Sequence, residues 1–166
     1  MIDIGDKIPD ATLYESTEFG DACPVSPGKV SVAEATKGKR IVIFGVPGAY
    51  TPTCSAKHVP GYLTNLDALK GRGIDEVWCV SVNDGYVMAA WGRDQHGIGK
   101  IRFLGDGNGE LTRKLGLEVD STKGGMGIRA RRFSLLVDDG VVKKVNVEES
   151  GQFKVSSAET MLAQLG

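Results

Sequence analysis

Apolar residues recur along this chain in two alternating periods. Residues 41–46 are an unbroken apolar run, as a central strand covered on both faces requires. Beyond Thr51, the residues Val59, Tyr62, Leu63, Leu66 and Leu69 fall at helical spacing, with Asn65, Asp67 and Lys70 outside the stripe. Pro60 lies inside this helix and predicts a kink, and Gly71 and Gly73 end it. Residues 75–83, DEVWCVSVN, read as the next strand, with Val77, Cys79 and Ser81 on one face and Trp78, Val80 and Val82 on the other. Asn83 or Asp84 is placed to cap a helix carrying Val87, Met88 and Trp91. A short strand at 101–104, the turn GDGNG and a short helix near 111–115 follow. Strands and helices in this alternation predict parallel strands joined by right-handed crossovers.

The two ends of the chain read differently. Residues 11–30 hold the stretches ATLYEST and CPVSPGKV around a turn-prone FGD, which predicts an N-terminal β-hairpin with Cys23 near its tip or second strand. Residues 122–132 form a basic, glycine-rich loop leading into the strand RFSLLVDD, and DDG joins that strand to its partner GVVKKVNVE. Ser156 and Glu159 match the S-x-x-E capping box of a terminal helix that buries Met161, Leu162 and Leu165. The fold expected is α/β with a mixed central sheet, led by the hairpin.

Length and charge narrow the function. A chain of 166 residues suits one domain, 1–166, able to bury about two thirds of its unfolded surface. Twenty Lys and Arg against 21 Asp and Glu leave a net charge of −1, which gives no electrostatic basis for binding nucleic acid or an anionic membrane. No apolar run approaches the roughly 18 residues of a membrane span. The amino terminus, MIDIGDKIPDATLYES, has neither the apolar core of a secretory signal nor the composition of a transit peptide, and a cytoplasmic location is expected. Cys23, Cys54 and Cys79, an odd number at wide spacing, suit free or redox-active thiols better than a disulfide framework.

The candidate chemistry concentrates in residues 45–62, GVPGAYTPTCSAKHVPGY. Thr51 is a favoured helix N-cap and Pro52 suits the first helical position, which puts Cys54 in the first turn. Unpaired backbone N–H groups and the positive end of the helix dipole favour an anion there, so a thiol so placed loses its proton more readily. The strand at 41–46 leads into this turn, and open α/β sheets carry their chemistry at such strand ends.

This string resembles the active-site segment of the peroxiredoxins, specifically the type II plant and bacterial group related to peroxiredoxin 5. The likeness extends through VSVND, MAAWG, GDG, GLE, RRF and the final SSA helix. It implies a thioredoxin-like fold with helices on both faces of the sheet, and a thiol peroxidase that needs no cofactor and no metal. On the same ground Cys54 is the residue that attacks hydrogen peroxide or an alkyl hydroperoxide. Thr51 and Pro47 complete the P-x-x-x-T-x-x-C core, and Gly48 and His58 support it. The resemblance selects Arg132, directly before Phe133, as the catalytic cation among the three arginines of RARR. Strand alternation sends Arg131 the other way, and Arg129 is read as secondary, with both of these as solvated or interface charges.

Regeneration of Cys54 is left to either of two routes. Some relatives use a carboxy-terminal resolving cysteine, but Ser156 stands at that place here. Cys79 matches a second cysteine of plant-type members and is a candidate resolving thiol, although a cysteine in a central strand is more often a small buried hydrophobe. Otherwise glutaredoxin with glutathione, or thioredoxin, reduces Cys54 directly. The resemblance also implies a homodimer. Three other readings compete: a cysteine hydrolase with His58 as base, a metal site using Cys54 and His58, and a redox-sensing or chaperone-like binding protein without turnover. The hydrolase lacks an orienting third group, and a structural zinc usually takes four ligands where His96, Cys79 and Cys23 show no paired spacing.

Overall fold

A computed structural model describes all of residues 1–166. The chain opens with β1 (Thr12–Glu15) and β2 (Gly28–Ser31), followed by a short α1 (Val32–Thr36). The central part runs β3 (Arg40–Gly45), α2 (Val59–Thr64), α3 (Leu66–Gly71), β4 (Glu76–Ser81), α4 (Gly85–Asp94), β5 (Arg102–Gly105) and α5 (Glu110–Leu115). A small ribbon of β6 (Glu118–Asp120) and β7 (Ile128–Ala130) precedes β8 (Phe133–Asp138), β9 (Val141–Val147) and α6 (Ala158–Leu165). Seven strands form one sheet in the order β2-β1-β5-β4-β3-β8-β9. The pairs β3–β4 and β4–β5 are parallel, and the hairpins add antiparallel strands at both edges. This is the mixed sheet of a thioredoxin-like fold.

Alternation along the strands divides the core in two. Val42, Phe44, Val77 and Cys79 face a cluster completed by Val59, Tyr62, Leu69, Met88, Trp91 and Met161 from α2, α3, α4 and α6. Ile41, Ile43, Trp78 and Val80 face the other side, where Val32, Leu111 and Leu115 of α1 and α5 cover them. Helices therefore lie on both faces.

Several expectations shift by a few residues, each for a physical reason. The second hairpin strand begins after Pro27, because Pro24 and Pro27 cannot donate to a ladder; Cys23 is exposed in the connection, beside a lone Phe19–Pro24 bridge. The kink expected at Pro60 takes the form of a π-helical turn, Cys54–His58, in which the Val59 N–H bonds Cys54 O. Pro60, at the start of α2, has no N–H to bond the carbonyl four residues back, and the wider turn absorbs the mismatch. The basic loop at 122–132 contains a strand, since β7 pairs with β6. The terminal helix is capped by Ser157, whose hydroxyl accepts from the Thr160 N–H, and Ser156 is instead buried with its hydroxyl on Glu148. Asp84, not Asn83, caps α4 through the Val87 N–H. The DDG turn has positive φ at Asp139 (47°) and Gly140 (79°), as a type I′ hairpin requires. No helix is long and apolar enough to cross a membrane.

The β3–β8 ladder sets Gly45 opposite Phe133. A Cβ on Gly45 would lie 2.0 Å from Phe133 Cε1 and 2.5 Å from its Cζ, so the Phe133 ring occupies the space a side chain would need. Gly45→Ala is expected to destabilise the fold by about 1–3 kcal/mol through overpacking. Urea unfolding followed by tryptophan fluorescence measures it, and an unchanged midpoint contradicts the packing described.

Candidate active site

The ends of β3 and β8 deliver the two halves of the site. From β3 the chain passes through Val46 and Pro47 into a tight loop, and Tyr50, at φ 62°, turns it into the helix that begins at Pro52. A bulky residue at positive φ stores about 1–3 kcal/mol of strain. Here the Tyr50 hydroxyl anchors the loop by donating to Asp94 Oδ2 on α4 at 2.7 Å. Asn83, two residues beyond β4, holds the loop, its Oδ1 accepting from Ala49 N at 3.0 Å and from the Ser81 hydroxyl at 2.7 Å.

Cys54 is fully buried at the head of the π turn. Two groups meet its sulfur: Thr51 Oγ1 at 2.9 Å and Arg132 Nη2 at 3.2 Å. Thr51 Oγ1 also lies 2.7 Å from Gly48 O. A hydroxyl has one proton, so it goes to Gly48 O when the sulfur is a thiol donating to Thr51, and to the sulfur when the sulfur is a thiolate. Gly48 allows this crowding, because a Cβ there would stand 2.9 Å from Arg129 Nη1 and 3.2 Å from Thr51 Cγ2.

Arg132 has no carboxylate within ion-pair distance; its Nη1 meets His58 Nδ1 at 2.8 Å instead. A guanidinium only donates, so His58 Nδ1 carries the lone pair and Nε2 the proton. That Nε2–H donates to Ser156 O at 2.9 Å, and the Tyr62 hydroxyl donates to the same carbonyl at 3.1 Å. Burial, reinforced by the Arg132 charge, pushes His58 down to about 3. A neutral imidazole therefore aims the cation without cancelling it, and His58 contacts the arginine rather than acting as a base on the sulfur.

The remaining candidates separate. Arg129 is half-buried and tied to backbone, its Nε donating to Met126 O at 2.8 Å and its Nη1 to Pro47 O at 3.3 Å. Arg131 likewise donates to Glu148 O at 3.0 Å, so both arginines hold backbone carbonyls. Cys79 is a free, fully buried thiol in the core of β4, pushed well up by burial and by the nearby Cys54. No group of three or more His, Cys, Asp or Glu is arranged to hold a metal ion. Beside the site a cavity of about 570 Å³ opens, lined by Pro47, Thr53, Arg131 and Arg132 among others. Sequence reasoning missed Asn83 as a loop anchor, Phe153 and Ser156 behind His58, and Glu148 beneath them. These residues act through backbone groups or buried contacts, and no local pattern marks them.

Comparison with known proteins places this geometry in a family. A Redoxin family model matches residues 3–162. Peroxiredoxin-2D of Arabidopsis thaliana is 48% identical over 164 residues, covering 99% of this chain and 98% of the relative. The reduced Prx3 of Vibrio vulnificus in complex with hydrogen peroxide superposes with a TM-score of 0.91 at 43% identity, covering 100% of both chains. A Burkholderia cenocepacia chain provisionally described as a thioredoxin reductase is 51% identical, with a TM-score of 0.95 over 100% of this chain and 99% of that one. Matched across almost all of its length by the Redoxin model and by a peroxiredoxin relative, the chain belongs to the peroxiredoxins, the thiol-dependent peroxidases of the Redoxin family.

Proposed function

We propose that this peroxidase reduces hydrogen peroxide and alkyl hydroperoxides at Cys54, with Arg132 and Thr51 as its catalytic partners, and that an external dithiol or glutathione system regenerates it. The observation that carries this reading is the pair of donors on one sulfur, Arg132 Nη2 at 3.2 Å and Thr51 Oγ1 at 2.9 Å. A cation and a hydroxyl donor both favour the thiolate, which is the nucleophile. The thiolate attacks one peroxide oxygen; a sulfur–oxygen bond forms as the oxygen–oxygen bond breaks. Sulfur is oxidised to the sulfenic acid, and the departing oxygen leaves as hydroxide or alkoxide and takes a proton to become water or an alcohol. Arg132 and Thr51 already stand where negative charge develops on that oxygen, so little reorganisation is needed. Pro47 walls the loop against water, and Gly48 keeps it close. The Vibrio vulnificus relative, solved with hydrogen peroxide, supports the choice of substrate.

In this reading Cys79 is structural. Its sulfur is sealed in the sheet core, with Phe44 and Phe103 paired beside it on the neighbouring strands. A first external thiol then displaces water from the sulfenic acid to form a mixed disulfide, and a second thiol releases Cys54 and leaves with the first as a disulfide. Glutaredoxin with glutathione, or thioredoxin, supplies both. Because Cys54 is itself buried, the first helical turn opens for this exchange. A homodimer and a cytoplasmic location belong to the same reading.

Arg132→Met is expected to lower the second-order rate with hydrogen peroxide on the order of 10²–10³-fold. Arg129→Met, which loses only loop contacts, costs a few-fold at most, and equal losses overturn the assignment; stopped-flow fluorescence reads both. Cys79→Ser should turn over with glutaredoxin as wild type does. A coupled assay in which that variant stalls after one equivalent of peroxide identifies Cys79 as the resolving thiol instead. His58 also has a pH signature. Its folded value of about 3 lies below the ordinary 6.5, so the unfolded chain binds the extra proton between these values. Stability conferred by neutral His58 is present above about 6.5 and is lost as pH falls toward about 3. His58→Gln should flatten that limb in urea titrations spanning the window.

A further inference from the structure

Glu148 touches the site from three sides without facing the sulfur. Its N–H donates to Arg132 O at 2.9 Å, and its carbonyl accepts from Arg131 Nη2 at 3.0 Å. Its carboxylate turns away, into the connection between β9 and α6. There it accepts from Lys154 N at 2.9 and 2.8 Å, from Val155 N and Ser156 N at 2.8 Å each, and from the Ser156 hydroxyl at 2.7 Å. The residue is only 3% exposed, and no Lys, Arg or His forms an ion pair with it. A buried carboxylate without a cation is costly unless donors converge on it. Burial by itself would raise this carboxyl, and the amides of residues 154–156 with the Ser156 hydroxyl outweigh that and hold it below the ordinary carboxylate value.

The segment held in this way is the one that backs the catalytic cation. Ser156 O receives the His58 Nε2–H at 2.9 Å, and that bond leaves Nδ1 bare toward Arg132 Nη1. Phe153 packs on the His58 ring, with centroids 4.9 Å apart, and its face lies 5.8 Å from the Arg132 guanidinium carbon. Both contacts come from a stretch with no helix or strand ladder of its own, so its backbone geometry depends on what its N–H groups find.

We infer that Glu148 is a positioning residue for peroxide reduction: its carboxylate fixes the 154–156 backbone, which through His58 and Phe153 fixes the Arg132 guanidinium on Cys54. The inference rests on the reading of Cys54 and Arg132 given above. An amide at position 148 presents N–H groups to at least one of the amides that the carboxylate now accepts. The connection then relaxes, the His58 acceptor moves, and the arginine loses its aim. Misplacement of a catalytic group by about 1 Å can cost on the order of 10²-fold in rate.

The test compares Glu148→Gln, Glu148→Asp and Arg132→Met with wild type, at a temperature where circular dichroism shows each fully folded. Glu148→Gln is expected to slow the reaction with hydrogen peroxide roughly 10- to 100-fold, and Glu148→Asp, which keeps the carboxylate, to recover part of the loss. The chain has two histidines, so nitrogen-15 histidine NMR resolves His58 from His96. The His58 spectrum should move from one ordered tautomer, protonated at Nε2, to exchange-averaged nitrogens. A role confined to stability leaves both the rate and the tautomer of the folded variant at wild-type values, and that result overturns the inference. If Arg132→Met itself retains the wild-type rate, the underlying site reading fails and not this step alone. Should Glu148→Gln not fold, Ser156→Ala removes one of the carboxylate's donors and is expected to give a several-fold loss with the same His58 change. A wild-type rate and spectrum in Ser156→Ala then count against Glu148.

Discussion

The antiparallel ladder between β3 and β8 is the constraint on which the site depends. Cys54 follows β3 by one loop, and Arg132 immediately precedes β8. Backbone hydrogen bonds in the register Gly45 to Phe133 bring together two groups 78 positions apart in the chain. The glycine at this pair is not incidental. The Phe133 ring fills the volume above it, and so the residue next to Arg132 is packed against the residue that begins the Cys54 loop. A slip of one residue would turn the strand over and carry Arg132 to the far face.

Within that frame the electrostatics are economical. A half-buried arginine usually finds a carboxylate, and such a partner would neutralise the charge that a thiolate requires. Here a neutral imidazole accepts one guanidinium N–H, and burial with the adjacent cation keeps the imidazole neutral down to about 3. Orientation and charge are thereby separated: His58 supplies the first, and Arg132 keeps the second for the sulfur. Asp138 pairs with Arg40, Asp139 accepts from the Gly38 N–H, and Glu148 is occupied by backbone amides of its own connection.

Much of this was legible in the chain itself. Period-two alternation at Val77, Trp78, Cys79 and Val80 separated the two cores correctly, and the paired positive φ angles at Asp139 and Gly140 are what DDG between apolar strands demands. The Thr-Pro start placed Cys54 in a first helical turn because those signals lie within a few residues of one another. Errors fell where a local preference had a nonlocal competitor. Ser156 is as good a cap as Ser157, but Glu148, His58 and Tyr62 claim its polar groups, and the helix starts one residue later. Pro60 did disturb its helix, which widens into a π turn just before it.

The sequence by itself determined most of the element types, the two-faced core and a cysteine at a helix start, since propensity, capping and periodicity act over a turn or two of chain. The resemblance pointed to Arg132, but how its guanidinium is aimed at that cysteine, which tautomer His58 adopts and where the Glu148 carboxylate points were decided only by the tertiary structure. Each depends on hydrogen bonds between segments separated by tens of residues. Such bonds exist only once the sheet register has brought the segments together, and no short window of sequence encodes them.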